Sequence, residues 1–69
     1  MKIRVESHSG YKADERPKAF LLDDRRLAVL DIEDRWYDPS ANYFRVVADD
    51  GKTYLLKQDL ETAEWDVLL

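Results

Sequence analysis

Apolar and polar residues alternate along much of this 69-residue chain, with the period of two that is typical of β-strands. The clearest example spans residues 43–57, where two β-rich runs flank Asp49, Asp50 and Gly51. An Asp-Gly pair between such runs is a strong hairpin signal. We therefore predict a β-hairpin here and interpret the rest of the chain around it.

The register of this hairpin follows from which alignment places apolar side chains on one face. A two-residue turn would set apolar side chains opposite polar ones. A three-residue loop with Gly51 in the left-handed conformation instead sets Phe44 opposite Leu56 and Val46 opposite Tyr54. Because a slip of one residue turns a whole strand over, we predict the second register.

Further strands are predicted on both sides of the hairpin. Residues 2–6 alternate charged and apolar, residues 19–22 form an apolar run, and residues 63–68 end the pattern with apolar residues on one face. No segment indicates a helix with confidence. The elements predict an all-β fold in a single domain over residues 1–69, a small antiparallel curled sheet of five or six strands or an SH3-like barrel.

Residues 26–37 fit a strand better than a helix, because helical spacing gives no clean apolar stripe. Both faces are apolar at the start of this segment, which indicates a strand that bends between two layers, often through a bulge. Asp34 falls on the apolar parity, so a buried Asp34 would need Arg35, Arg16 or a backbone amide as its partner. The apolar residues that share this parity are Ala28, Leu30, Ile32 and Trp36.

Residues 10–18 lack apolar periodicity, and Pro17 biases the residue before it towards extended conformations. They predict a loop that is long for so small a domain, and such loops often carry function. We predict a binding surface where this loop meets residues 34–37, since tryptophan, tyrosine and arginine anchor interfaces. The candidate residues are Tyr11, Asp14, Arg16, Asp34, Arg35, Trp36 and Tyr37.

Trp36 has two interpretations. Like Trp65, it can supply the core volume that a small protein needs, or it can form the floor of a partly exposed groove beside the predicted loop. The two interpretations are compatible if one face of the ring is buried and the other is open.

Composition narrows the function classes. A formal charge of −4 works against non-specific attraction to phosphate backbones and anionic membranes. The absence of cysteine excludes disulfides and thiolate metal sites and fits a reducing compartment. The sequence also has no apolar run of the length of a signal peptide or membrane span. We therefore predict a cytoplasmic protein without a membrane partner.

No catalytic, cofactor or metal motif stands out. The single histidine, His8, lies between Ser7 and Ser9, but neighbours in sequence rarely have the geometry of a catalytic set, so we interpret His8 as a turn or surface residue. The acidic pairs lack the spacing of a calcium loop. An enzyme would have to rely on His8 with Asp14 or Asp34. We predict a non-enzymatic protein with no cofactor and no bound metal.

Two stretches carry a resemblance, SHSGYKADERP at residues 7–17 and DRWY at residues 34–37, together with the YFRV run at residues 43–46 and the Asp-Gly turn. With them the chain resembles a family of small uncharacterised bacterial β-rich proteins over nearly its whole length. That family has no established activity to carry over. The hairpin ending in Trp65 also resembles a small β module at the ends of some Y-family-polymerase-like accessory proteins, over the second half of the chain.

Two main functions are consistent with these observations. The first is a non-catalytic interaction module that presents residues 11–17 and 34–37 to a protein partner. The second is single-stranded nucleic-acid binding, or an accessory module of a nucleic-acid enzyme, favoured by the aromatic and basic residues interleaved in residues 43–57 and disfavoured by the acidic charge. An exposed edge strand would also allow a homodimer.

Overall fold

Six antiparallel strands each pair with their neighbours in sequence, and the sixth returns to the first to close a barrel. The computed structural model describes residues 1–8 and 16–68. The strands are β1 (Lys2–His8), β2 (Arg16–Leu22), β3 (Arg25–Tyr37), β4 (Ala41–Ala48), β5 (Thr53–Asp59) and β6 (Trp65–Leu68). These described residues contain no helix. The predicted all-β antiparallel fold is confirmed in its barrel form, and it is compatible with a small SH3-like barrel.

The hairpin between β4 and β5 has the predicted register. Gly51 has a φ of +82°, and its amide donates to the Ala48 carbonyl at 3.0 Å. The Ala48 amide donates in turn to the Lys52 carbonyl at 2.9 Å, which completes the three-residue loop. The predicted pairs, Phe44 with Leu56 and Val46 with Tyr54, are both present.

Apolar side chains from β2 to β6 fill the barrel, and Ile3 and Val5 of β1 pack against them. Two aromatic pairs connect different strands inside this core: Phe20 meets Tyr54 edge to face, and the Phe44 and Trp65 rings lie 5.6 Å apart between centroids. The buried core residues are Phe20, Leu27, Phe44, Val46, Ala48, Tyr54, Leu56, Trp65 and Val67.

The long strand β3 bends from one half of the barrel into the other. It pairs with β2 through residues 25–28 and with β4 from residue 29 onwards, with register shifts between residues 29 and 31 and between residues 32 and 34. The predicted bend and bulge are confirmed. The predicted parity is wrong, because each bulge adds a residue and reverses the faces: Leu30 is 66% exposed, while Ile32 packs against the core.

Two predicted boundaries near the β1 to β2 connection are also wrong. Ser7 and His8 belong to β1 rather than to a turn, and a register shift follows Glu6. Residues 16–18 belong to β2 rather than to the loop, with Pro17 buried opposite Ser7. The fixed φ of proline is compatible with a strand where no ladder partner needs its N–H, so Pro17 does not break β2 there.

Three turns are held by aspartate side chains that accept hydrogen bonds. Asp38 accepts from the backbone amides of Ser40 and Ala41, each at 2.8 Å. Asp50 accepts from the Lys52 amide at 2.9 Å and from the Tyr54 hydroxyl at 2.6 Å. The third turn follows β5, where Asp59 accepts from the amides of Glu61 and Thr62 at 2.8 and 3.2 Å.

These hydrogen bonds predict that acid weakens the fold. The pKa of Asp38 is lowered chiefly by the Ser40 amide, that of Asp50 by the Tyr54 hydroxyl, and that of Asp59 by the Glu61 amide. A carboxyl whose pKa is lowered by folding stabilises the folded state above its unfolded pKa, about 3.9 for aspartate, and loses that contribution as the pH falls through the folded pKa. We expect the free energy of unfolding to fall below about pH 4.

Urea unfolding at a series of pH values measures this dependence. Asp59→Asn keeps an acceptor oxygen but removes the titration, so it should flatten the acid limb of the curve. A pH dependence unchanged in the matching asparagine variants of all three aspartates would contradict this origin of the acid sensitivity.

Candidate binding surface beside the third strand

The β2 to β3 ladder ends halfway along β3. The last pair joins Ala19 to Ala28, and residues 29–37 pair with β4 on one side only among the strands that the structure describes. Pro17, which has no N–H to donate, lies two residues before Ala19, so β2 is poorly suited to continue the ladder. The second edge of β3 is left without a described strand partner over residues 29–37.

A cleft lies where the two strands separate. Residues 16–18 of β2 and residues 29–32 of β3 line a depression of about 510 Å³. A second depression of about 370 Å³ continues along β3, lined by Arg16 and residues 32–35. Arg16 and Ile32 border both, so the two depressions form one cleft along β3. Its apolar surface includes buried Pro17 and half-buried Val29 and Ile32.

Charged side chains of both signs line this cleft. Asp31, Glu33 and Asp34 are all exposed. Arg45 of β4 lies 3.4 Å from an Asp34 oxygen and 3.9 Å from a Glu33 oxygen, and half-exposed pairs of this kind contribute little to stability. Arg16, Lys18 and Arg35 border the same cleft, so its lining carries three carboxylates and three cationic side chains.

Asp34 itself is exposed, so the requirement for a buried partner does not arise. Its Oδ1 accepts from the Arg35 backbone amide at 2.9 Å, and its Oδ2 from the Arg45 guanidinium. The backbone amide is one of the partners predicted, whereas Arg45 is not. The physical reason is the bulge before Asp34, which turns its side chain outward, into the row opposite Arg45.

Trp36 and Tyr37 end β3 as exposed aromatics, 40% and 57% accessible. Trp36 lies on the outer face of the barrel, where it stacks on Tyr43 with ring centroids 5.5 Å apart and planes 9° from parallel. Trp36 is therefore not core volume, and of the two tryptophans Trp65 alone is in the core. An apolar depression of about 400 Å³ adjoins Trp36 between Arg45, Leu55 and neighbouring residues.

Arg16, Asp34 and Arg35 border the same depression, so the structure brings together one residue of the predicted loop and two of residues 34–37. Trp36 and Tyr37 continue along the same strand. Tyr11 and Asp14 lie outside the described residues. Sequence reasoning missed the cleft itself, although Pro17 followed by an apolar strand run is a signal for a strand edge.

Aromatic and basic side chains also meet on the outer face of the barrel. Cross-strand pairing sets Trp36 beside Tyr43 and Tyr43 beside Lys57, with Arg45 in the next row. Phe44 and Tyr54, the other aromatics of the hairpin, are buried as the register predicts. The outer face therefore presents one stacked aromatic pair between basic side chains.

Neither a metal-ion cluster nor a membrane-spanning helix is present in the part of the chain that the structure describes. Residues 1–8 and 16–68 hold no group of three or more histidine, cysteine, aspartate or glutamate side chains able to bind a metal ion. The same residues contain no helix of the length and apolarity needed to cross a membrane. The side chain of His8 and all of Asp14 lie outside the description, so the pairing of His8 with Asp14 or Asp34 stays a prediction.

Comparisons with protein-family models, with curated proteins and with solved structures found no match. The two resemblances drawn from the sequence therefore stay predictions, and the function is argued from the surface alone.

Proposed function

We propose that this protein is a non-catalytic protein-interaction module whose binding surface runs from Arg16 along β3 to Tyr37. The observation that carries the proposal is the second edge of β3, which has no described strand partner and borders a cleft. An edge of this kind presents backbone N–H and C=O groups that a partner can use. The exposed Trp36 and Tyr37 lie at its end.

The chemistry of the surface supports binding rather than catalysis. Tryptophan, tyrosine and arginine are the side chains that most often dominate binding energy at interfaces, and Arg16, Arg35, Trp36 and Tyr37 supply all three types. General acid catalysis needs a carboxyl held in an apolar setting. The carboxylates beside the cleft, Asp31 and its acidic neighbours, are instead exposed to water.

Affinity purification from cells of the source organism, followed by quantification of co-purified proteins, tests the proposal. We expect Tyr37→Ala and Arg16→Ala each to reduce recovery of a specific partner at least tenfold, because truncation of an interface hot spot costs about 2 kcal/mol or more. Leu60→Ala is the matched control, since Leu60 is 50% exposed against 57% for Tyr37 but lies in the turn after β5. Equal recovery with all three variants, each shown to be folded, would exclude this surface.

Single-stranded nucleic-acid binding is the second candidate. The stacked Trp36 and Tyr43, with Arg45 and Lys57 beside them, supply the aromatic platform and positive charge on which bases stack. The acidic total charge opposes it. Titration of the purified protein with labelled single-stranded DNA and RNA at low salt tests this candidate. Binding that is lost in Tyr43→Ala would favour nucleic acid as the ligand. The absence of binding would exclude it.

We propose the cytoplasm as the compartment in which the module acts. The absence of cysteine supports this, because proteins of reducing compartments do not depend on disulfides.

A further inference from the structure

We propose that the Asp50–Gly51 peptide bond is a site of spontaneous isomerisation to isoaspartate, and that the Tyr54 hydroxyl slows this reaction in the folded protein. The chain has one Asp-Gly sequence, and it lies in the loop between β4 and β5. This site is separate from the binding surface along β3. It determines how long the central hairpin keeps its covalent structure.

The reaction joins the Asp50 side chain to the backbone. The Gly51 nitrogen attacks Cγ of the neutral carboxyl group, so that a C–N bond forms and the C–OH bond breaks. The hydroxyl leaves as water together with the proton of the Gly51 amide. Water then hydrolyses the resulting succinimide at either carbonyl. Hydrolysis at the original backbone carbonyl leaves the chain linked through Cβ and Cγ of Asp50, with a free α-carboxylate.

Gly51 makes this position sterically open. An added Cβ at Gly51 would meet no heavy atom within 4 Å, and the residue is exposed. Every other aspartate of the chain is followed by a residue that carries a side chain, which hinders attack by the backbone nitrogen. The folded loop opposes the attack at one point, because the Gly51 amide donates to the Ala48 carbonyl at 3.0 Å. Asp50 is therefore the aspartate of this chain with the least steric hindrance to isomerisation.

Two hydrogen bonds restrain the Asp50 carboxylate. The Tyr54 hydroxyl donates to Oδ2 at 2.6 Å, and the Lys52 amide donates to Oδ1 at 2.9 Å. The flat succinimide ring needs an eclipsed Cα–Cβ bond, whereas side chains occupy staggered rotamers, so ring closure has to rotate the carboxyl out of these bonds. The Tyr54 ring is itself held, because it is 8% exposed and meets the Phe20 ring edge to face.

The same hydrogen bonds deplete the reactive form of the carboxyl. The neutral acid reacts, because its hydroxyl can leave as water, whereas the carboxylate does not. The Tyr54 hydroxyl and then the Lys52 amide lower the pKa of Asp50, and the positive charges of Lys52 and Arg25 contribute. Less of the neutral acid is therefore present at neutral pH than in an unrestrained aspartate.

Isomerisation changes the loop that sets the hairpin register. The isoaspartyl linkage adds Cβ to the main chain, so the three-residue loop becomes longer. The side-chain carbonyl that accepted from Lys52 and Tyr54 becomes part of the backbone. We therefore expect the isomerised protein to unfold at a lower urea concentration than the parent.

Ageing of the purified protein at physiological temperature and neutral pH, followed by peptide mapping with mass spectrometry, measures the reaction. The isoaspartyl peptide has the same mass as its parent but a different retention time and fragmentation. We expect isoaspartate at residue 50, forming faster when the chain is unfolded in urea than when it is folded. Tyr54→Phe keeps the ring and loses one hydrogen bond to a charged group, so we expect about tenfold faster formation in the folded variant.

Val67→Ala separates protection by the hydroxyl from loss of stability. Val67 is 3% exposed and pairs with Leu56, so its truncation weakens the core without removing a hydrogen bond to Asp50. We expect this variant, while folded, to isomerise at the rate of the parent. Equal rates in the parent and Tyr54→Phe, or equal acceleration in Tyr54→Phe and Val67→Ala, would overturn the role of the hydroxyl. Absence of isoaspartate at residue 50 in the urea-unfolded chain would overturn the assigned site.

Discussion

Replacing Phe44 by alanine is expected to unfold most of the protein. Phe44 is 1% exposed, lies opposite Leu56 in the central hairpin and packs against the Trp65 ring. Truncating a buried phenylalanine to alanine costs about 3–5 kcal/mol, from lost burial and from the cavity that remains. A core in a domain of this size rarely supplies more than about 3–5 kcal/mol in total. The expected loss is therefore about as large as the total free energy of unfolding.

Urea unfolding followed by circular dichroism measures this loss. Phe44→Leu keeps most of the buried volume and is expected to remain folded, and Tyr43→Ala tests the neighbouring position on the outer face, where little core volume is removed. A cooperative transition of Phe44→Ala within about 1 kcal/mol of the parent would show that the cavity collapses, and that this position does not hold the core together.

Replacing Trp65 by alanine is expected to open the barrel. Trp65 pairs with Ile3 of β1 on one side and with Gln58 of β5 on the other, and its ring is in the core. The β1 to β6 ladder has only two paired positions, supplemented by the Val67 amide, which donates to the Met1 carbonyl at 2.9 Å. Losing the tryptophan removes about 3–5 kcal/mol of burial where the ladder is shortest.

Amide hydrogen exchange distinguishes opening from uniform destabilisation. We expect the amides of β1 and β6 in Trp65→Ala to lose protection before those of the β4 and β5 hairpin. Trp36→Ala removes the same side chain from the outer face and should cost under about 1 kcal/mol. If Trp65→Ala and Trp36→Ala changed amide protection and stability equally, Trp65 would not be specifically required to close the barrel.

The central hairpin could be predicted from the sequence, because its turn and register are determined by the residues of the hairpin itself. Gly51 alone among them adopts the left-handed conformation cheaply, and only one register puts Phe44 and Val46 on the apolar face. The turn at Asp23 and Asp24, between β2 and β3, is similarly local: both residues have positive φ angles, as a two-residue hairpin turn requires.

The faces of β3 could not be predicted, because a bulge is specified by how a strand meets its neighbour. Counting by twos placed Leu30, Ile32 and Trp36 on one face, and two added residues sent Leu30 and Trp36 outward. For the same reason, only part of the candidate surface could be predicted from the sequence. Arg16 and Asp34 were recognised as residue types, whereas the cleft depends on where the β2 to β3 ladder stops.

The sequential order of the strands has a consequence for the rate of folding. Nearly all pairing joins neighbouring strands, so most loops that must close are short and their entropic cost is small. The exception is the joining of Lys2 to Asp66 and Ile3 to Trp65, which spans almost the whole chain. A row of hairpins can therefore assemble quickly, and barrel closure is the step with the longest loop and the fewest contacts to compensate for it. We therefore expect barrel closure, rather than hairpin formation, to be the slowest step of folding.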